Sequence, residues 1–161
     1  DVRAYAAPDR GWAGRLLAEG FGGPVQVVRG EAFDVLDLPG FVAEVDGEPA
    51  GLLTYRRYGE GWELAFVAAL RRGVGVGSAL VGALHEVAGG APIRVVTTND
   101  NLEALRFYQR QGFVLVELRP GAVDDARRRL KPSIPEVGDA GIPIRDELEL
   151  ELRTSGRDGG A

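Results

Sequence analysis

The chain has 161 residues, of which 45% are apolar and 27% charged, with a formal net charge of −5. That balance suits one domain with a packed core and argues against a general nucleic-acid binder. It contains no cysteine and a single histidine, His85, which excludes a disulfide scaffold, a thiolate metal site, a cysteine nucleophile and a multi-histidine metal site. No run of about 18 apolar residues offers a membrane span, and Asp1-Val2-Arg3 opens no secretory signal. The expectation is a soluble, cytoplasmic domain with no metal, membrane or nucleic-acid partner. Its basic residues are almost all arginine, with Lys131 the only lysine.

In chain order, Val2 to Ala6 reads as a short strand. A helix follows with Asp9 as N-cap and Trp12, Leu16, Leu17 and Phe21 at helical spacing, stopped by Gly20, Gly22 and Gly23. Val25 to Val28 suits another short strand, while Gly30 to Gly40 carries no clear signal. Phe41 to Val45 and Gly51 to Tyr55 are strands joined at the hairpin signal Asp46-Gly47. Glu60-Gly61 turns the chain into a strand from Trp62 to Leu70, which completes an antiparallel meander. After the glycine-rich Arg71 to Gly77, Leu80, Leu84, Val87 and Ala88 mark one face of an amphipathic helix, ended by Gly89-Gly90.

Ile93, Val95 and Val96 make an apolar stretch interrupted only by Arg94, and a buried, parallel strand is predicted over Ile93 to Val96. Asn99-Asp100-Asn101 caps the next helix, with Glu103 placed after Asp100 as in a capping box, and Gly112 ends it as a left-handed C′ residue. Phe113 to Leu118 forms a strand. Glu147 to Leu152 alternates Glu with Leu, the mark of a strand with one face buried. Between them, Arg119 to Asp146 is a long connection with a short helix near Val123 to Leu130. Its Ile134, Val137, Ile142 and Ile144 favour ordered packing. Thr154 to Ala161 is glycine-rich and charged, so a disordered tail is expected after a single domain spanning 1–153.

The glycine loop carries the first chemical signal. Glycines alternate between a strand and a helix, so backbone N–H groups and the helix N-terminus face one space, suited to a pyrophosphate, and Arg72 adds charge. A dinucleotide-binding fold would want a third glycine where Ser78 stands. It would also want an acid at the end of the next strand, where Val95-Val96-Thr97-Thr98 offers none, and a preceding βαβ unit in place of a meander. A tight turn with no ligand is the bland alternative.

Arg72-x-x-Gly75-x-Gly77 resembles the acetyl-CoA signature of the GNAT superfamily of N-acetyltransferases. Glu63-Leu64-Ala65-Phe66-Val67 stands where that family has its fourth strand. Asn101-x-x-Ala104-x-x-Phe107-Tyr108-x-x-x-Gly112-Phe113 resembles its second signature helix and the strand after it. The two motifs occur in the family's order, and the resemblance covers residues 41 to 118. The stretch from Gly121 to Glu147 is similar to that of a bacterial subgroup of the family.

The resemblance implies an α/β fold of α+β type, with a mixed, mostly antiparallel sheet of six to seven strands flanked by helices. It implies acetyl-CoA as co-substrate, bound through Arg72, Gly73, Val74, Gly75, Val76, Gly77, Ser78 and Asn101. Strands four and five of the family splay apart, so backbone at Val67 and Ala68 would pair with pantetheine and polarise the thioester carbonyl. Tyr108 matches the family's general acid at the departing sulfur, against a core or capping aromatic. Glu63 matches a carboxylate that takes the amine's proton, against a solvated strand residue. The implied acceptor is a small-molecule primary amine. A protein amine, and a non-catalytic acyl-CoA-binding module, are the alternatives. His85 belongs on an outer helix surface and Arg127-Arg128-Arg129 on a solvated one. Tyr55, Arg56 and Arg57 either border the acceptor's entry or are ordinary surface residues. Lys131, Arg145, Asp146 and Glu147 either line an acceptor pocket, fix the long loop through salt bridges, or form a homodimer contact.

Overall fold

The computed structural model describes residues 1–153, and the predicted tail lies outside the described residues. The strands are β1 (Val2–Ala4), β2 (Val25–Val28), β3 (Glu31–Asp34), β4 (Gly40–Val45), β5 (Glu48–Tyr58), β6 (Gly61–Ala69), β7 (Ile93–Thr98), β8 (Val114–Arg119) and β9 (Glu147–Leu152). The helices are α1 (Arg10–Gly20), α2 (Val76–Ala88), α3 (Leu102–Arg110) and α4 (Ala122–Arg129). Seven strands make one sheet in the order β1-β4-β5-β6-β7-β9-β8, and β2 and β3 form a separate hairpin.

The sheet is mixed and mostly antiparallel, as the motifs implied. β7 is parallel to β6 over three residue pairs but antiparallel to β9 over six. Its residues alternate between buried and half-buried, a pattern that does not reveal strand direction. Asp46 and Gly47 both have positive φ, 55° and 76°, as a two-residue hairpin requires. The next turn is Gly59-Glu60, one residue earlier than read, with Gly61 already in β6. The segment without a clear signal holds β3 and a 3-10 turn whose Val35 and Leu36 are buried.

Each face of the sheet has its own core. Leu80, Leu84 and Ala88 of α2 pack on Leu53, Leu64, Ile93 and Leu150. Ala13 and Leu17 of α1 pack on Leu52, Phe66 and Ala68. Each fully buried leucine contributes about 1.5–3 kcal/mol by area.

Two caps differ from the reading. Asp9 stands at the N-cap of α1 but makes no cap bond to it. Its carboxylate accepts from the Ala6 N–H at 2.9 Å, from Trp12 Nε1 at 3.0 Å and from Arg3, because a 3-10 turn containing Pro8 begins the helical stretch earlier. At α3 the cap is Asn101, whose Oδ1 accepts from the Ala104 N–H at 3.1 Å. The capping box does not form. Asp100 is buried and accepts from Thr98 Oγ1 and the Asp139 N–H, while Glu103 turns to Arg72. Gly112 follows α3 at φ 102°, the left-handed residue expected.

The alternation in β9 reads half correctly. Leu150 is in the core, but Glu147, Glu149 and Glu151 are buried as well, at 3%, 1% and 8% exposure. The opposite face is covered because arginines from β5, β7, β8 and the β2–β3 hairpin lie across it.

Candidate active site

The site begins with a strand that parts from its neighbour. β6 pairs with β7 only at Trp62↔Ile93, Glu63↔Arg94 and Leu64↔Val95. At the next residue the register with β5 jumps from Tyr55↔Leu64 to Thr54↔Phe66, so Ala65 is an extra residue. Such a bulge bends the strand. Beyond it, Phe66 to Ala69 follow β5 while β7 runs on beside β9 to Thr98↔Glu147. The wedge between them exposes one backbone edge of β6, which an extended ligand can pair with.

The glycine loop sits at the mouth of this wedge. Gly73 and Gly75 have φ of 78° and 76° with open space where a Cβ would stand. Gly75 is the N-cap of α2 and offers no side chain to its N–H groups, so they remain available for an anion. Gly77 is required for a different reason. A Cβ there would come within 2.8 Å of the Phe107 ring, so α2 and α3 approach closely at this point. Arg72 is 81% exposed and pairs with Glu103 at 2.5 Å, a surface pair that an incoming anion can displace at little cost.

A cavity of about 220 Å³ lies here, lined among others by Val67, Ala68, Arg72, Gly77, Asn101 and Tyr108. Those six implied contacts therefore come together. Gly73, Val74, Gly75, Val76 and Ser78 do not line it. Val74 and Ser78 are exposed, Ser78 accepting from Gln111 Nε2 at 2.9 Å, and Val76 is buried in the core. Tyr108 is 7% exposed, and burial pushes its phenol pKa well above the ordinary value. It is a protonated group at neutral pH.

A larger cavity of about 660 Å³ shares Phe21, Val67, Asn101, Ala104 and Tyr108 with the first. Its further wall comes from the end of β7, from Val123 and Ala126 of α4, and from Ile134, Pro135 and Val137 of the long connection. Lys131 and Glu147 line it, as do Asp100 and Asp139; Arg145 and Asp146 do not. Phe21, edge-on to Phe66 at 5.0 Å, borders both cavities; its spacing suited a helix face, but α1 ends at Gly20 and Phe21 is its C-cap.

Glu63 lies outside both. It is 1% exposed, with Arg29 Nη1 at 2.6 Å on one oxygen and Arg56 Nε at 2.6 Å on the other. It belongs to a chain of charges laid across the sheet face. Arg56 reaches Glu31, and Arg29 and Arg94 reach Glu149. Arg119 reaches Glu147 and Glu149. A lone glutamate in sequence looks available; four arginines arriving from distant segments were not legible there.

The remaining candidates are quickly placed. His85 is exposed on α2. Tyr55 stacks on Phe41 at 5.5 Å and Arg57 covers the Trp62 ring at 4.6 Å. Neither these two nor Arg56 lines a cavity. Arg128 and Arg129 are exposed, but Arg127 is not on a solvated face. It donates to the carbonyls of Ile134, Pro135 and Ile144 at 2.9, 2.7 and 2.7 Å and so ties the long connection to α4. Asp146 accepts from the Gly121 N–H at 2.8 Å and from Arg145, which keeps its carboxyl low. Among the described residues no group of three or more His, Cys, Asp or Glu could hold a metal ion, and no helix is long and apolar enough to cross a membrane.

A split parallel strand pair with a glycine loop and a helix N-terminus at its mouth defines an acyltransferase type of fold. Residues 38–115 match the family model described as an acetyltransferase (GNAT) domain. The uncharacterized protein YdhI of Bacillus subtilis (strain 168) is 38% identical over 137 residues, covering 83% of this chain and 85% of YdhI. Among solved structures, the IAA acetyltransferase from Bacillus cereus ATCC 14579 superposes with a TM-score of 0.70 at 20% identity, covering 95% of this chain and 99% of that one. A GNAT family acetyltransferase from Elizabethkingia anophelis, solved with acetyl-CoA bound, gives 0.65 at 14% identity, covering 95% and 97%. The chain belongs to the GNAT acetyltransferase superfamily.

Proposed function

We propose that this protein transfers the acetyl group of acetyl-CoA to a primary amine of a small molecule by direct attack. The observation that supports this best is the meeting of two cavities at Tyr108, one at the glycine loop and one roofed by the long connection. The α2 N-terminus, with Arg72, would hold the pyrophosphate. The open edge of β6 at Val67 and Ala68 would pair with pantetheine and direct an N–H at the thioester oxygen as it gains charge. The amine nitrogen bonds to the carbonyl carbon, the carbon–sulfur bond breaks, and Tyr108 gives its proton to the departing thiolate.

The amine's proton is a separate matter. Both Glu63 oxygens already accept charged hydrogen bonds, so taking a proton would break two of them. We assign Glu63 to holding the β2–β3 hairpin on the sheet, and the amine loses its proton to water in the larger cavity. A small molecule fits that partly apolar cleft.

Calorimetric titration with acetyl-CoA tests the reading. A valine at position 75 would be strained at φ 76° and would crowd the α2 N–H groups. Saturable binding to the parent, lost or weakened more than about tenfold in Gly75→Val, is expected; binding indifferent to that change would overturn it.

A further inference from the structure

We infer that the larger cavity selects an amine that also carries a carboxylate on an apolar body, and that Lys131 holds the carboxylate. This rests on the acetyl-transfer reading above. Lys131 is the only lysine of the chain and the only cation among the described residues that line this cavity. Its Nζ donates to the Val25 carbonyl at 2.6 Å, and among the described residues it makes no ion pair. The arginines close by behave differently: Arg29, Arg56, Arg94 and Arg119 each hold at least one glutamate.

Lys131 is partly buried, and burial with no acid beside it pushes its ammonium below the usual lysine range. A cation taken partly out of water without a counter-charge is costly. A ligand carboxylate at the same wall offsets that cost with a charge-assisted bond. One cation matches a monoanion. A phosphate dianion would face a wall on which Asp100, Asp139 and Glu147 outnumber Lys131. Asp100 and Asp139, neither of them ion-paired among the described residues, attract the ammonium form of the amine. Between the charged groups Phe66, Val96, Val123 and Ile134 supply apolar wall beside Gln26, Thr97 and Ser133, so an apolar body joining amine and carboxylate finds contacts there.

The test uses matched acceptors that share a body and an amine and differ at the anionic group. They are L-phenylalanine, L-phenylalaninamide and phenethylamine, with the corresponding leucine set, assayed by CoA thiol release. The parent protein is expected to prefer the carboxylate member of a set by about tenfold or more in kcat/KM. Lys131→Met should raise KM for that member until the preference vanishes, leave kcat and the neutral amines nearly unchanged, and yield partly to rescue by Lys131→Arg. No carboxylate preference in the parent, or an equal loss on all members in Lys131→Met, overturns the inference and reduces Lys131 to a prop for Val25. If no member turns over, the sets are titrated onto the CoA-bound protein. Carboxylate-dependent binding lost in Lys131→Met sustains the inference, and its absence overturns it. Failure of the acetyl-transfer reading shows separately, as absent acetyl-CoA binding.

Discussion

Arg29 Nη1 lies 2.6 Å from Oε1 of Glu63, and this pair pins the tip of the β2–β3 hairpin to the first part of β6. Among the described residues Arg29 is one of three non-glycine residues with positive φ, at 53°, a conformation disfavoured for a bulky side chain. Its ion pairs with Glu63 and Glu149 and its position 3.8 Å over the Tyr58 ring hold it there.

Removing one side of this arrangement is costly because the guanidiniums stay behind. Glu63→Gln is expected to lower stability by about 3 kcal/mol, as loss of a buried ionic partner does, measured by urea unfolding. Acetyl transfer by the folded variant should keep its kcat within about threefold. A residue that accepted the amine's proton would show the reverse, with kcat falling by about a hundredfold or more and stability nearly unchanged.

Acid should loosen the same face through Glu149, whose oxygens accept from Arg29 Nε, Arg94 Nη1 and Arg119 Nη1 at 2.9, 2.6 and 2.9 Å. Burial alone would raise its pKa, but the bonds from the three arginines outweigh it and bring the carboxyl down from 4.5 to about 2. With the folded pKa below the unfolded one, its contribution is fully present above about pH 4.5 and is lost as pH falls toward 2, on the order of 3 kcal/mol in all. Unfolding free energies measured in urea between about pH 5 and 3 should drop accordingly, and Glu149→Gln should flatten that dependence.

Tyr108→Phe separates chemistry from binding. The ring remains packed near Phe107 and Phe113, at centroid distances of 5.6 Å to each, so acetyl-CoA affinity should change by less than about threefold. If Tyr108 protonates the thiolate as proposed, its loss should lower kcat by about a hundredfold or more. Because burial raises the phenol pKa, the parent should show no decline of kcat from this group in the neutral to mildly alkaline range. Stopped assays of thiol release across pH check both statements.

Arg127→Met removes the three bonds to the connection carbonyls while keeping most of the stem's apolar bulk. Losing these bonds to the half-buried carbonyls of Ile134 and Ile144 and the exposed carbonyl of Pro135 should cost about 1–2 kcal/mol in all and release the segment between residues 131 and 146. Limited proteolysis followed by mass spectrometry should find cuts there that the parent resists. KM for the acceptor should rise, because this segment walls the larger cavity.

The glycine loop and the α3 motif were legible as residues because their chemistry is local: a helix N-terminus, a positive φ, an Asn cap. The same holds for the hairpins, the helix faces and the Gly112 stop. The polar face of β9 was not. Alternating Glu and Leu says only that two faces differ, and whether glutamates meet water or arginine depends on strands and a hairpin far away in sequence. Arg127 in a run of three arginines looked solvated for the same reason. What the sequence by itself determined was the family, the glycine loop at a helix N-terminus and the tyrosine of the second motif, since each rests on short-range spacing. The tertiary structure alone decided that β6 parts from β7 after three pairs, that Glu63 is held by two arginines outside both cavities, and that Lys131 reaches the cavity wall with no acid beside it, since each of these rests on contacts between segments that folding brings together.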